Sequence, residues 1–146
     1  NQTVTLKVTG CELGLIKHGN CNSYVAGVQT ETGANHNITV EDCDIKVIYG
    51  IVNMGAPGST FDVKDTSITE CLYGLNLCID STVNMENSTI ATNPAFTANN
   101  TNIAIVIQAG GVNITADEKT MIIAMNRARN FFMGNPSLFY VRIFFQ

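Results

Sequence analysis

Acidic and basic side chains that can perform acid and base chemistry concentrate between residues 41 and 65 of this chain. Clustered carboxylates can hold a cation beside a basic residue that removes a proton, and two carboxylates at a defined separation can hydrolyse a glycosidic bond. The catalytic candidates of this kind are Asp42, Asp44, Asp62, Asp65 and Lys64. Whether they act together depends on which faces of the fold carry them.

Structural roles compete with this chemistry. Asp42 and Asp65 are of the residue types that tight turns use. Glu41, Lys64 and Glu86 fall in one predicted outward column, where alternating charge stabilises adjacent strands. The sequence therefore favours structural roles for these residues over catalytic ones.

The histidines and cysteines do not form a recognisable reactive motif. His18 and His36 lie in predicted loops without the context of a hydrolase nucleophile, so we expect surface histidines. The five cysteines include no CxxC pair, and no metal site is predicted. Cys11 and Cys43 hold equivalent places in the pattern described next, so we expect buried small apolar residues, with a disulfide between them as the alternative.

An internal repeat must position these residues. Four segments share one pattern, with apolar residues in the first, third and eighth places and a small residue in the sixth: LKVTGCEL from Leu6, ITVEDCDI from Ile38, FDVKDTSI from Phe61 and VNMENSTI from Val83. The alternation predicts a strand with one buried face, and the shift of phase predicts a bend at the fifth place, which holds Gly, Asp or Asn. A fifth segment, VNITADEK, begins at Val112.

A second block follows each of the first four segments and aligns a column of minimal side chains at Gly27, Gly50, Gly74 and Ala104. Successive first blocks begin 32, 23, 22 and 29 residues apart, so the bare period is in the low twenties. Over residues 4–116 this pattern resembles the right-handed parallel β-helix repeats of pectate-lyase-like, tailspike and surface-adhesin proteins. The resemblance implies an all-β, single-stranded right-handed parallel β-helix of four to five coils.

The repeat pattern stops after Lys119, which divides the chain into a β-helix region, 1–118, and a C-terminal unit, 119–146. We expect an atypical helix and strand cap, with a helix from Asp117 or Thr120 through about Met133 and a strand over Leu138–Phe145. The alternative is a segment that packs against another subunit or a larger assembly. The residues for such an interface are Phe131, Phe132, Phe139, Tyr140, Phe144 and Phe145.

Extra residues in the first and fourth repeats predict two loops, Gly14–Tyr24 and Thr92–Thr101, on one side of the molecule. Such insertions either mark a binding face or are simply tolerated there. The candidate ligand-binding residues are Lys17, His18, Asn20, Asn22, Asn93, Phe96 and Asn99.

Composition and charge exclude several classes of protein. With 45% hydrophobic and 14% charged residues the chain should form a packed core, and its apolar runs are too short for a membrane span. Residues 1–118 hold four basic and all twelve acidic residues, a net charge of −8, which repels nucleic acid. The Asn-X-Ser/Thr motifs are either glycan acceptors or a by-product of the strand pattern; they begin at Asn1, Asn37, Asn87, Asn99 and Asn113.

These observations, with the resemblance, favour a non-catalytic structural or binding module of an extracellular, cell-surface or virion protein. Such a module presents a rigid face to a glycan or protein partner and needs no cofactor. The alternative is a polysaccharide lyase or glycoside hydrolase of the parallel β-helix type, and Ca²⁺ is expected only for the lyase. A cation site engaging at least two of the four aspartates would favour the enzyme.

Overall fold

The computed structural model describes most of the repeat region and a short piece of the C-terminal unit: residues 2–14, 26–93, 103–123 and 143–145. Within these ranges the chain forms fifteen β-strands and no helix, and every strand pairing is parallel. The described part of the protein is therefore all-β, as the repeat pattern predicts.

The described strands assemble into three sheets. The six-stranded sheet contains, in order, β1 (Thr5–Thr9), β4 (Asn37–Glu41), β7 (Ser59–Lys64), β10 (Ser81–Glu86), β13 (Asn113–Ala116) and β15 (Ile143–Phe145). The five-stranded sheet contains β2 (Glu12–Gly14), β5 (Asp44–Lys46), β8 (Ser67–Cys71), β11 (Thr89–Thr92) and β14 (Met121–Ile123). The four-stranded sheet contains β3 (Ala26–Thr30), β6 (Tyr49–Asn53), β9 (Tyr73–Leu77) and β12 (Ile103–Ile107).

Successive strands of the chain belong to the six-stranded, the five-stranded and the four-stranded sheet in turn. Each of the first four repeats contributes one strand to each sheet, so sequence neighbours lie in different sheets and spatial neighbours lie one repeat apart. Parallel strands require such crossover connections because a tight hairpin joins only antiparallel strands. The arrangement is compatible with a β-helix or another solenoid.

The first block of the repeat is two strands separated by a bend. Equivalent residues pair directly, as in the run from Leu6 through Ile38 and Phe61 to Val83. The fifth-place residues all have positive φ, with values of 63°, 54°, 47° and 45° for Gly10, Asp42, Asp65 and Asn87. Gly, Asp and Asn tolerate this left-handed conformation best, so the predicted bend is confirmed.

The fifth repeat lies in a different register from the one predicted. Val83 pairs with Ile114 rather than Val112, and the eighth place is Ile122, which pairs with Ile90. One extra residue therefore stands between the two strands of this repeat. The alignment from Val112 was wrong by two residues, because the period-2 alternation of a strand is preserved by a shift of two.

Inward side chains from all three sheets pack into one hydrophobic cluster. Val40, Ile45 and Ile51, one from each sheet, are all 0% exposed. Full burial of such a side chain contributes about 1.5–3 kcal/mol relative to exposure. The single cluster binds the three sheets to one another.

The column of minimal side chains lies where the four-stranded sheet meets the five-stranded sheet. A Cβ built on Gly27 would lie 2.8 Å from Cγ2 of Ile45 in the next repeat. At Gly50 the added Cβ would collide with Ile68 and with the carbonyl oxygen of Gly74. Glycine is needed here for close approach, because no side chain fits between the isoleucine and the neighbouring backbone.

Sixth-place hydroxyls link one repeat to the next inside the molecule. Thr66 Oγ1 accepts the backbone N–H of Cys43 at 3.4 Å, and Ser88 Oγ accepts that of Thr66 at 3.2 Å. Thr120 Oγ1 continues the series by accepting the Ser88 N–H at 3.3 Å. Because these residues are all buried, the hydroxyls satisfy amides that water does not reach.

A buried asparagine fixes the connection from the third strand of one repeat to the next repeat. Asn53 is 0% exposed, and its Oδ1 accepts hydrogen bonds from Thr30 Oγ1 at 2.9 Å and Ala56 N at 3.0 Å. Its Nδ2 donates to the Ala56 carbonyl and to Ser81 Oγ, both at 2.9 Å. Every donor and acceptor position of the amide is hydrogen-bonded, so the free-energy cost of burying it is offset.

His36 is buried rather than on the surface, so the expectation of a surface histidine was wrong for this residue. It is 5% exposed; Nδ1 accepts the Val4 N–H at 3.0 Å, and Nε2 therefore donates to the Thr32 carbonyl at 2.6 Å. The ring ties the start of the described chain to the second repeat. His18 lies outside the described residues.

The described cysteines are free thiols. Cys43 is 4% exposed in the core, whereas Cys11 in the first repeat is partly exposed. The buried residue predicted at Cys43 is confirmed, whereas the same prediction was wrong for Cys11, and the alternative of a Cys11–Cys43 disulfide was wrong. Burial raises the pKa of the Cys71 thiol to about 11, so this thiol stays protonated and unreactive at neutral pH.

The predicted helix does not begin at Asp117 or Thr120. Asp117 Oδ1 does accept the Thr120 N–H at 2.9 Å, as a helix-capping residue would, but residues 121–123 form β14. The bond closes a turn into the five-stranded sheet instead. The remainder of the expected helix lies outside the described residues, and β15 falls within the predicted terminal strand.

None of the described ranges contains a helix long and apolar enough to cross a membrane.

Replacing Gly50 by alanine should destabilise the fold by about 1–3 kcal/mol, because the new methyl group overpacks the contact with Ile68 and Gly74. Urea unfolding measures the loss. Gly110→Ala is the matched control, since a Cβ at Gly110 has nothing within 4 Å. Equal unfolding midpoints for the two variants would contradict the proposed inter-sheet contact.

Thr66→Val keeps the shape of the side chain but removes the hydroxyl that accepts the Cys43 N–H. We expect a loss of about 1–3 kcal/mol in the free energy of unfolding, since a buried amide is left unsatisfied. Thr60→Val, on the outer face of β7, should change it by less than about 0.5 kcal/mol. The hydroxyl series has no role in stability if both variants unfold at the same urea concentration.

Candidate functional site

A column of polar side chains runs along the outer face of the six-stranded sheet, where they alternate with the buried residues of each strand. Register places the second-place residues of the five repeats side by side. In order along the sheet, this polar column consists of Lys7, Thr39, Asp62, Asn84 and Thr115.

Hydrogen bonds join the last three members of the polar column. Asn84 Nδ2 donates to Asp62 Oδ1 at 2.8 Å, and Thr115 Oγ1 donates to Asn84 Oδ1 at 2.8 Å. The carboxylate accepts only, so the amide nitrogen of Asn84 must face Asp62 and its oxygen must face Thr115. Three polar groups are therefore held in one orientation before any ligand arrives.

A second column of alternating charge lies two residues further along each strand. Lys64 Nζ is 2.9 Å from Glu86 Oε2, and Lys7 Nζ crosses between columns to lie 2.6 Å from Glu41 Oε2. The hydrogen bond with Glu86 raises the pKa of Lys64, so this amine is charged at neutral pH. The pairs are exposed and contribute little to stability, so they are available to contact a ligand.

Asp117 extends the charged column into the fifth repeat. Its Oδ1 accepts from Thr120 Oγ1 at 2.6 Å, from the Thr120 N–H at 2.9 Å and from the Asn87 N–H at 3.1 Å. The bond from the Thr120 hydroxyl is the main reason why the pKa of Asp117 lies below its usual value, and backbone bonds from Asn87, Thr120 and Lys119 lower it further. Asp117 is thus a fixed negative charge at the end of the column.

The two columns border an open groove of about 580 Å³ across β7, β10 and β13. This volume falls within the range of ligand-binding clefts. The groove is lined by Lys64, Asn84, Met85, Glu86, Thr115, Ala116 and Asp117. It offers an amide, a hydroxyl, carboxylates and one amine along a rigid sheet.

The structure divides the candidate catalytic residues among different places. Asp62 belongs to the polar column and Lys64 to the charged column, whereas Asp44 lies on β5 in another sheet. Asp42 and Asp65 hold the bend, and Asp65 Oδ1 accepts from Asn87 Nδ2 at 2.6 Å. In the described part of the chain no three His, Cys, Asp or Glu side chains are grouped to hold a metal ion.

Asp44 pairs with its neighbour on the same strand. Lys46 Nζ lies 2.6 Å from Asp44 Oδ2, and this hydrogen bond raises the pKa of Lys46. Oδ1 of Asp44 is buried without a hydrogen-bond partner, for which the structure offers no physical account. The pair is distant in topology from the groove and adds nothing to it.

Most of the predicted loop site falls outside the described residues. This holds for Lys17, His18, Asn20, Asn22, Phe96 and Asn99. Asn93 directly follows β11, where its backbone N–H donates to the Cys71 carbonyl at 2.9 Å. In the proposed tail interface, Phe131, Phe132, Phe139 and Tyr140 also lie outside, and only the backbone of Phe144 and Phe145 is placed, in β15.

Sequence reasoning missed Asn84, Thr115 and Asp117 as members of one site. The misaligned fifth repeat put Asn113 in the outward column where Thr115 belongs. A usable signal was present, because the tripeptide Asn-Ile-Thr occurs at both Asn37 and Asn113 and takes the same place in both repeats. Aligning the two copies would have found the register.

No protein-family model matches the chain, and no curated protein or solved structure matches it. Its function must therefore be inferred from the site itself.

Thr120→Val should raise the pKa of Asp117 toward its ordinary value, because the hydroxyl that bonds the carboxylate is removed. The lowered pKa stabilises the fold above the unfolded-state pKa, and this contribution is lost as pH falls through the folded-state pKa. The variant should therefore lose less stability on acidification through that window. Carbon-13 NMR titration of the Asp117 carboxyl measures the shift.

Thr120→Ser retains the hydroxyl and serves as the control for that titration. An Asp117 pKa that is the same in the valine and serine variants would show that the hydroxyl bond does not hold the carboxylate.

Proposed function

We propose that this chain is a right-handed, single-stranded parallel β-helix. It acts as a non-catalytic binding module of an extracellular, cell-surface or virion protein. Its binding surface is the groove on the outer face of the six-stranded sheet, and its partner is a glycan. The hydrogen-bonded run from Asp62 through Asn84 to Thr115 carries the proposal.

Two observations support closure of the sheets into a β-helix. The chain returns to each sheet once per repeat, and the inward residues of all three sheets share one hydrophobic cluster. The contact of Gly27, Gly50 and Gly74 with the isoleucine column joins two of the sheets at a corner. The right-handed sense follows the general preference of parallel crossover connections.

The groove suits a ligand that is rich in hydroxyl groups. Sugar hydroxyls both donate and accept, and the groove offers carboxylate acceptors at Glu86 and Asp117 beside the Asn84 amide. Since Asn84 and Thr115 are held by their neighbours, binding costs little side-chain ordering. The fixed polar groups of this sheet surface are therefore pre-organised for recognition.

Charge narrows the class of glycan. Among the lining residues Lys64 is the single cation, and it is paired with Glu86, whereas Asp117 is an additional anion. The groove is thus mildly acidic and repels sulfated or uronic-acid chains. We therefore propose a neutral or amino-sugar oligosaccharide.

The enzyme alternative of a polysaccharide lyase or glycoside hydrolase has less support. Among the candidate residues, Asp42 and Asp65 have positive φ in the bends, and Asp44 lies in another sheet. Asp62 is hydrogen-bonded to Asn84 within the polar column. These placements favour structural and binding roles, and the binding experiment below also detects cleavage.

The proposal is tested on chain produced in the bacterial cytoplasm, which carries no N-glycan. The chain is first applied to an oligosaccharide array, and calorimetry then measures the Kd of the best ligand. Asn84→Leu should weaken the Kd about tenfold, because loss of one well-placed hydrogen bond costs about 1.4 kcal/mol. Asn37→Leu makes the same change on the same sheet outside the groove and should leave the Kd unchanged. Thermal unfolding of both variants confirms that each is folded.

Binding that survives Asn84→Leu would move the site away from the groove. Shortening of the oligosaccharides during incubation would establish the enzyme alternative. Absence of binding to neutral, amino-sugar and acidic glycans alike would leave a protein surface as the partner and overturn the glycan proposal.

A further inference from the structure

We propose that Asn37 and Asn113 are N-glycan acceptor sites at the N-terminal ends of two strands of the six-stranded sheet. The inference rests on the extracellular setting of the proposed function. N-linked glycans attach to asparagine in Asn-X-Ser/Thr when X is not proline. Three asparagines in the described ranges begin such a motif, namely Asn37, Asn87 and Asn113.

Asn37 and Asn113 occupy equivalent places in the fold. Each is the first residue of its strand, and pairing links Asn37 to Thr60, Thr60 to Thr82 and Thr82 to Asn113. Three inter-strand steps of about 4.8 Å separate the two asparagines by about 14 Å. Both are exposed, in one column at the start of the strands.

Both side-chain amides are available for modification. Neither Nδ2 takes part in a hydrogen bond with a described residue, so a sugar there displaces no hydrogen bond among the described residues. In an extended strand, residues i and i+2 share a face, which places Thr39 and Thr115 on the same outer face as their asparagines. Among the described residues, each motif therefore presents its asparagine and its threonine on the outer face of the sheet.

Asn87 has the same motif in a different environment. Its Nδ2 donates to Asp65 Oδ1 at 2.6 Å, and its φ of 45° holds the bend. A sugar on this nitrogen would crowd the short contact. Asn87 therefore provides an internal comparison, and the proposal is confined to the other two positions.

The modification requires a lipid-linked oligosaccharide pyrophosphate donor and a membrane-bound oligosaccharide transferase. The Asn Nδ2 forms a bond to C1 of the first sugar, and the bond from C1 to the pyrophosphate oxygen breaks. The lipid pyrophosphate leaves with the bonding electrons, and the proton lost from Nδ2 passes to a base of the transferase. Neither oxidant nor reductant is needed.

A glycan on Asn113 would also border the proposed binding groove. Asn113 lies two residues before Thr115, which lines the groove, and this corresponds to about 7 Å along a strand. Binding by the proposed groove is therefore best measured on unmodified protein, and glycan occupancy would limit access of large ligands.

The test is secretion of the full chain from a eukaryotic cell behind a secretion leader, followed by enzymatic deglycosylation in ¹⁸O water. The glycosidase converts each glycosylated asparagine to ¹⁸O-labelled aspartate, which peptide mass spectrometry locates. We expect label at both Asn37 and Asn113. Thr39→Val and Thr115→Val should each abolish label at one site, whereas Thr39→Ser and Thr115→Ser should retain it.

Secreted, folded protein without label at either position would overturn the inference. Thermal unfolding before and after deglycosylation should differ by no more than the measurement error, and a large loss on glycosylation would also overturn it. Label without oligosaccharide binding by the bacterial chain would overturn the proposed function alone. Binding by the bacterial chain with no label on the secreted chain would overturn this inference alone.

Discussion

Parallel stacking of the repeats in register is the constraint on which this structure depends. Each strand leaves a row of backbone donors and acceptors that the next repeat must satisfy, and each pairing brings equivalent side chains together. A shift of one residue would exchange the buried and exposed faces. The bend therefore recurs at the same place, with Asp42, Asp65 and Asn87 all in the left-handed conformation.

Stacking in register also places interior polar groups where they can bond to the backbone of a neighbouring repeat. Hydroxyls at Thr66 and Ser88 satisfy buried amides of the preceding repeat, and Asn53 satisfies the connection that leads into the next one. Apolar side chains of similar size would supply comparable burial without these bonds. Polar residues in the core thus satisfy backbone groups of neighbouring repeats, while the Val, Ile and Leu columns supply most of the stabilisation.

On the outer face, pairing in register aligns the equivalent residues of successive repeats in columns. Asp62, Asn84 and Thr115 are distant in sequence, yet they form one hydrogen-bonded row because each takes the second place of its repeat. Lys64 and Glu86 form a parallel row of opposite charge. The proposed binding groove and the proposed glycan sites both arise from such columns, so a single lattice of strands accounts for both.

The sequence by itself determined the all-β class of the described residues, the two-strand block with its bend and the places of the buried residues in the second, third and fourth repeats. In the first repeat the same pattern was wrong for Leu6, which is 44% exposed. These are local properties, since period-2 alternation and the residue types of a left-handed turn can be read within about eight residues. It also identified the column of Gly27, Gly50 and Gly74, although not the isoleucines that make glycine necessary there. Only the tertiary structure decided the burial of His36 and the strand at residues 121–123, because each depends on a partner from another repeat. It also corrected the register of the fifth repeat. Within that repeat alone a strand pattern is unchanged by a shift of two residues, so the register shows only when the repeat is compared with the Asn-Ile-Thr motif of the second repeat or paired with its neighbour.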